Sequence, residues 1–159
     1  MKWKAAIIGL IFAGPVYAQM TTETDRFTGK TTTSWIVKQS PKVVKAYRQP
    51  ATITMATRTD DKRSLYVSFV SGTWLYLKCS SDHWLLDGQP FEMPKPVFMR
   101  DVMRGGVSEM AVYTITPEVS NALVAASQLE LKVCNDEFRF DEKAMTAIRA
   151  VFGQATPAN

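Results

Sequence analysis

Residues 64–79 read Ser-Leu-Tyr-Val-Ser-Phe-Val-Ser-Gly-Thr-Trp-Leu-Tyr-Leu-Lys-Cys, and this stretch decides the fold class. β-Branched and aromatic residues crowd it, Ser71-Gly72-Thr73 punctuates it, and it closes on Cys79, one of two cysteines in the chain. The pattern predicts two paired strands, a central hairpin, leading into a covalent staple. In the first arm Leu65, Val67 and Phe69 share one face and Tyr66, Ser68 and Val70 the other. In the second arm Leu75 and Leu77 fall with Cys79, opposite Trp74, Tyr76 and Lys78. Large side chains on both faces predict a hairpin covered on both sides, with helices against at least one of them.

Beyond Cys79 the chain is rich in loop signals. Asp87-Gly88 is a turn dipeptide following Trp84-Leu85-Leu86, and Pro90, Pro94 and Pro96 then keep the backbone out of a central ladder. Residues 97–104 resume a strand pattern, Gly105-Gly106 turns it, and residues 107–116 form the next strand. Val107, Ala111 and Tyr113 share a face there with Glu109, opposite Met110 and Val112. Thr116-Pro117-Glu118 is a helix start, with a hydroxyl cap, proline at the first position and a carboxylate in the first turn. Val119, Ala122, Leu123 and Ala126 make its buried stripe. Residues 129–134 are a strand with Leu129, Leu131 and Val133 inward, and Asn135-Asp136 turns it into a short arm at 138–140. Asp141 caps a second helix whose stripe is Ala144, Met145, Ile148, Val151 and Phe152, closed by Gly153. Residues 154–159 are a polar tail.

Upstream, residues 51–58 alternate, with Ile53 and Met55 on one face, and 59–63 make a polar turn. Residues 42–48 place Val43, Val44 and Tyr47 along one side, a spacing that suits a short helix or an irregular linker equally. Residues 31–38, with Trp35, Ile36 and Val37 among threonines, are a candidate first strand. Residues 19–30 are threonine-rich and polar and read as a flexible N-terminal arm. Residues 1–18 have the build of a secretory signal: Lys2 and Lys4, an apolar run, then Val16-Tyr17-Ala18 as the cleavage site. Strands first and helices late predict a single α+β domain over 31–153, an antiparallel sheet of about six to eight strands with two C-terminal helices on one face.

Export sets the chemistry. Cys79 and Cys134, with no Cys or His neighbour, read as a disulfide in a periplasmic or secreted protein, the alternative being two buried thiols. The formal charge of +4 falls to +2 without Lys2 and Lys4. That balance argues against nucleic acid, whose partners carry a clustered basic face. No apolar run after the signal is long enough for a membrane span.

His83 is the only histidine, so a Ser-His-Asp arrangement or a zinc site would have to use it. Asp82 and Asp87 lie near it in sequence, but the segment is turn-rich and a solvated loop is the simpler reading. No Gly-x-Ser-x-Gly elbow is present, and no metal or cofactor is expected. What remains is recognition. Trp74, Tyr76, Trp84 and Phe91 form an aromatic set that either faces a partner or lies under a helix. Lys38, Lys42, Lys45 and Arg48, and separately Lys95, Arg100 and Arg104, are basic clusters suited to an anionic envelope polymer or to solvent.

Ser71-Gly72-Thr73-Trp74-Leu75-Tyr76 is similar to the Ser-Gly-x-x-Tyr loop of small exported bacterial lysozyme inhibitors, with one residue more. The likeness covers six positions and implies a loop that enters an enzyme cleft. The expectation is a non-enzymatic exported binding protein of the bacterial envelope that presents Ser71, Gly72, Trp74, Tyr76, Trp84 and Phe91 to a protein or anionic polymer. A small His83-centred hydrolase or metal-dependent enzyme and a structural envelope subunit with pairing strand edges are the alternatives.

Overall fold

The computed structural model describes residues 18–39, 51–58, 62–79 and 81–153. Within them the chain is α+β, with ten strands in two antiparallel sheets and two helices. The larger sheet has the order β1 (Ala18–Thr24), β2 (Thr31–Gln39), β3 (Ala51–Arg58), β4 (Arg63–Ser71), β8 (Gly106–Ile115), β7 (Val97–Met103). The smaller has the order β10 (Asp136–Arg139), β9 (Leu129–Val133), β5 (Asp82–Leu86), β6 (Gln89–Phe91). The strand number exceeds the expected six to eight because β5, β6, β9 and β10 leave the first sheet to build a second over it.

β4 is the centre of the larger sheet, and its period-2 pattern holds: Leu65, Val67 and Phe69 are buried. The hairpin expected around it does not form. Residues 72–79 run as turns rather than as a second arm, and β4 pairs instead with β3 and with β8. With both sides of β4 taken, the chain after Ser71 has no slot in that sheet and crosses to the other.

The expected cover on both faces is also absent among the described residues. On the inward face, Phe69 meets Phe138 with ring centroids 5.6 Å apart, and Tyr113 of β8 meets Trp84 edge-on at 5.4 Å. These aromatic pairs lock sheet to sheet. On the other face Tyr66 and Ser68 are half-buried and Val70 is exposed.

Both helices start where the sequence predicts, but of the stripe expected in α1 only Leu123 and Ala126 are buried, with Val119 and Ala122 half-buried and Ser120 buried instead. α1 (Pro117–Ala125) is capped by the Thr116 hydroxyl, which accepts the Val119 N–H at 3.3 Å. α2 (Glu142–Phe152) is capped by the Asp141 carboxylate on the Ala144 N–H at 2.9 Å. Its buried stripe of Ala144, Met145, Ile148, Val151 and Phe152 turns to the core. α2 lies on α1 and against β2 and β3, so it covers the part of the larger sheet that the smaller one leaves.

Residues 19–24, expected in the flexible arm of 19–30, belong to β1, antiparallel to β2. Thr21–Ser34 at 2.8 Å and Thr24–Thr31 at 2.9 Å are cross-strand hydroxyl pairs, a use of threonine that a reading of composition as loop misses. Asp25 holds the turn. The backbone N–H of Phe27, at 2.8 Å, keeps its carboxyl below the usual value. The segments read as a signal (1–18, of which 18 opens β1), a helix or linker (42–48), most of the 59–63 turn and the polar tail (154–159) lie outside the described residues.

Candidate functional site

Three carboxylates organise the crossing between the sheets. Glu109, on the buried face of β8 and only 4% exposed, accepts the backbone N–H of Leu75 at 2.7 Å and of Tyr76 at 3.0 Å. Ser71 Oγ donates to the Thr73 carbonyl, which tightens the same turn. Asp136, also buried, accepts the Tyr76 hydroxyl at 2.7 Å. Asp82 accepts both the Tyr113 hydroxyl at 2.7 Å and Trp84 Nε1 at 3.0 Å through one oxygen. Burial first, then the Asp82 carboxylate beside it, pushes the Tyr113 hydroxyl well above its ordinary value. The Cys79–Cys134 disulfide, with Cα atoms 6.1 Å apart, ties the end of the crossing to the end of β9.

This arrangement places the predicted aromatic set differently from expectation. Trp84 is 3% exposed and Tyr76 7%, so both rings belong to the core and neither is offered to a partner. Trp74 and Phe91 are half-buried, Gly72 is exposed and Ser71 is buried. The six residues therefore do not share a surface. The Tyr76 ring packs on Phe69 with centroids 4.6 Å apart and its hydroxyl is held by Asp136. A tyrosine so held is not the protruding tip that the likeness to inhibitor loops implied.

His83 is exposed and lines an open groove of about 560 Å³ between β5 and the segment after β6, with Phe91, Met93 and Pro94 on its walls. Asp82 lines it too, but its carboxylate is engaged by Tyr113 and Trp84. Asp87 sits at φ 49° in the β5–β6 turn, and its carboxylate accepts the N–H of Ser127 at 2.9 Å and of Gln128 at 2.8 Å. It fastens that turn to the loop before β9 and does not reach towards His83. Among the described residues no three of His, Cys, Asp and Glu come together as metal ligands.

The feature missed in the sequence is the exposure of β7, whose strand pattern at 97–104 is otherwise as expected. β7 is an edge strand, and all seven of its residues, Val-Phe-Met-Arg-Asp-Val-Met, are exposed. Val102 is 73% exposed, Val97 66% and Met99 53%. The register shows which way they face. Met99 lies opposite Met110, itself opposite Ser68; Val97 lies opposite Val112, itself opposite Tyr66. Alternation then puts Val97, Met99, Asp101 and Met103 on the uncovered face with Tyr66, Ser68, Val70, Ser108, Met110 and Val112. Phe98, Arg100 and Val102 fall on the inward face, where Phe98 and Arg100 line a cavity with Tyr76, Asp82 and Val133. An apolar strand reads as core by hydropathy alone. The signal that it is not lies in its neighbours: Pro94 and Pro96 before it and Arg100-Asp101 within it mark an edge.

Lys95, Arg100 and Arg104 are exposed along this arm, while the other basic cluster, Lys38, Lys42, Lys45 and Arg48, falls outside the described side chains. No helix among the described residues is long and apolar enough to cross a membrane. Compared with known proteins, the chain matches no family model, no curated protein and no solved structure.

Proposed function

We propose that this chain is an exported interaction protein whose docking surface is the uncovered face of β4, β8 and β7. Export is supported by the signal-like residues 1–18 and by the disulfide, which persists in oxidising compartments. The observation that carries the docking reading is the exposure of Val97, Met99 and Met103 on that face of β7 and of Val70 on the same face of β4. Contiguous apolar surface of this kind on a folded chain marks an interaction site. Methionine at 99, 103 and 110 suits it further, since an unbranched thioether adapts to a partner's shape.

The partner is a protein rather than an anionic polymer. The centre of the surface holds methionine, valine and tyrosine, and the cations Lys95 and Arg104 stand at its rim. The Trp84–Phe91 loop and the Ser71–Tyr76 turn, from which the sequence argued, serve this reading only by bracing the sheet from behind. An envelope location follows from export into a bacterial periplasm.

The test compares immobilised mature protein with a Val70→Lys, Val97→Lys double variant in capture from envelope extract. Both positions are exposed, so the melting temperature should move little. The proposal expects a species retained by the parent and lost by the variant. Retention of the same species by both would overturn it.

A further inference from the structure

We infer that the edge of β7 pairs with the β7 edge of a second copy of this chain, antiparallel, about a two-fold axis at Met99. This concerns the edge of the sheet, whereas the docking reading concerns its face, and the two stand on different observations.

The backbone of β7 offers a short window. The two-residue turn at Arg104-Gly105 makes Met103 and Gly106 the closing pair with β8. Met99, Asp101 and Met103 therefore bond inward, and the amides of Phe98, Arg100 and Val102 point outward. The Val102 amide is already taken, since the Asp101 carboxylate accepts it at 2.8 Å. Two positions earlier than Phe98 stands Pro96, which has no amide to give. Only Phe98 and Arg100 remain as outward donors, one on each side of Met99.

That window is self-complementary about Met99, and an axis at Phe98 would use the same donors with the Pro96 carbonyl as an acceptor. With the axis at Met99, Phe98 faces Arg100 of the partner subunit and Arg100 faces Phe98 of the partner subunit, so each donor meets a free carbonyl. Pro96 and Val102, the two positions without a free amide, face each other. Moving the axis to Arg100 opposes two guanidinium groups and sets Phe98 against the spent Val102. Moving it to Asp101 opposes two carboxylates. The side chains agree with the Met99 register. Within one chain the Arg100 guanidinium lies 5.5 Å from the Phe98 ring, and across the seam the same cation and ring alternate. The uncovered faces of the two copies then join into one surface, with the two Met99 side chains at its centre and a Val97–Asp101 pair on either side.

The test uses the full mature chain. At the axis of a non-hydrogen-bonded antiparallel pair the two Cα atoms are about 4.5 Å apart, within the range a disulfide spans. Met99→Cys should give a covalent dimer in a glutathione buffer, with the 99–99 linkage found by peptide mass mapping. Asp101→Cys is the control, because two residues at 101 would sit about 13 Å apart. The parent should sediment as a dimer at about 100 µM, a concentration that populates a small, weak interface. An Arg100→Pro variant, which removes one outward amide, should be monomeric with an unchanged melting temperature.

A monomeric parent at that concentration would overturn the inference, as would cross-linking at 101 as fast as at 99. A monomer whose capture still depends on Val70 and Val97 would leave the docking reading standing alone. A dimer that captures nothing would do the reverse.

Discussion

The crossing between the two sheets and the strand β7 are both short segments that leave the core, yet the fold treats them oppositely. Residues 72–79 contain turns, a glycine and polar side chains, and they are tied down by Glu109, Asp136, Ser71 and a disulfide. β7 is a regular strand with a largely apolar sequence, and all seven of its residues are exposed. Regular structure therefore does not mark the covered part of this protein. In the crossing a buried carboxylate, Glu109, holds the irregular backbone in place.

If that contrast is right, the largest losses come from the covered side. Trp84→Ala removes a ring packed on Tyr113 and Phe140 and should cost about 3–5 kcal/mol in urea unfolding. A loss under about 1 kcal/mol would mean that Trp84 is not core. Replacing Cys79 and Cys134 together by alanine opens a link across 55 residues, worth about 4 kcal/mol in the chain-entropy model and read as a lowered melting temperature.

Glu109→Ala leaves the amides of Leu75 and Tyr76 without their acceptor inside the fold. The expected loss is about 2–3 kcal/mol, with faster amide exchange confined to residues 74–79. Uniform acceleration across β4 and β8 would contradict the view that Glu109 acts on the crossing alone.

Tyr113→Phe sharpens the comparison through pH. The folded-state value of this hydroxyl lies above its ordinary 10.0, so its contribution is complete below pH 10. As pH rises further the unfolded chain ionises first, and stability falls by about 1.4 kcal/mol per pH unit. The variant should lose about 1 kcal/mol at neutral pH and show a shallower alkaline limb in a stability profile. Identical alkaline slopes in both proteins would show that Tyr113 is not the group responsible. The smallest effect belongs to β7: Val102→Ser should stay within about 0.5 kcal/mol of the parent.

Much of the fold is legible in the sequence because one face of each element is buried. The period of two in β4 and β8, and the 3.6 stripe of α2, record that single buried face. Glu109 was visible too, as an acid on a face otherwise held by Val107, Ala111 and Tyr113. Its purpose was not, because the amides it serves lie 33 and 34 residues upstream. The hairpin misreading has the same origin. Trp74, Leu75 and Tyr76 have strand propensity, but the neighbouring positions belong to β3 and β8, and pairing partners are not written locally. The candidate site was read least well. By pattern the aromatic set suits either a partner or a covered face, and Tyr76 and Trp84, with a carboxylate each for their polar tips, belong inside. The strand at 97–104 is legible, but its place at the edge of the sheet is not, because sheet order is not written locally.

Methionine oxidation by dilute peroxide, followed by mass spectrometry at low protein concentration, tests the contrast between covered and open regions most directly. Met99 and Met103 on β7 and Met145 inside α2 carry the same chemistry in different settings, exposed on β7 and 1% exposed in α2. The account predicts that Met99 and Met103 are oxidised at rates near that of an unfolded chain, well before Met145. Protection of Met99 equal to that of Met145 in the monomer would contradict it, since the face now described as open would then be covered.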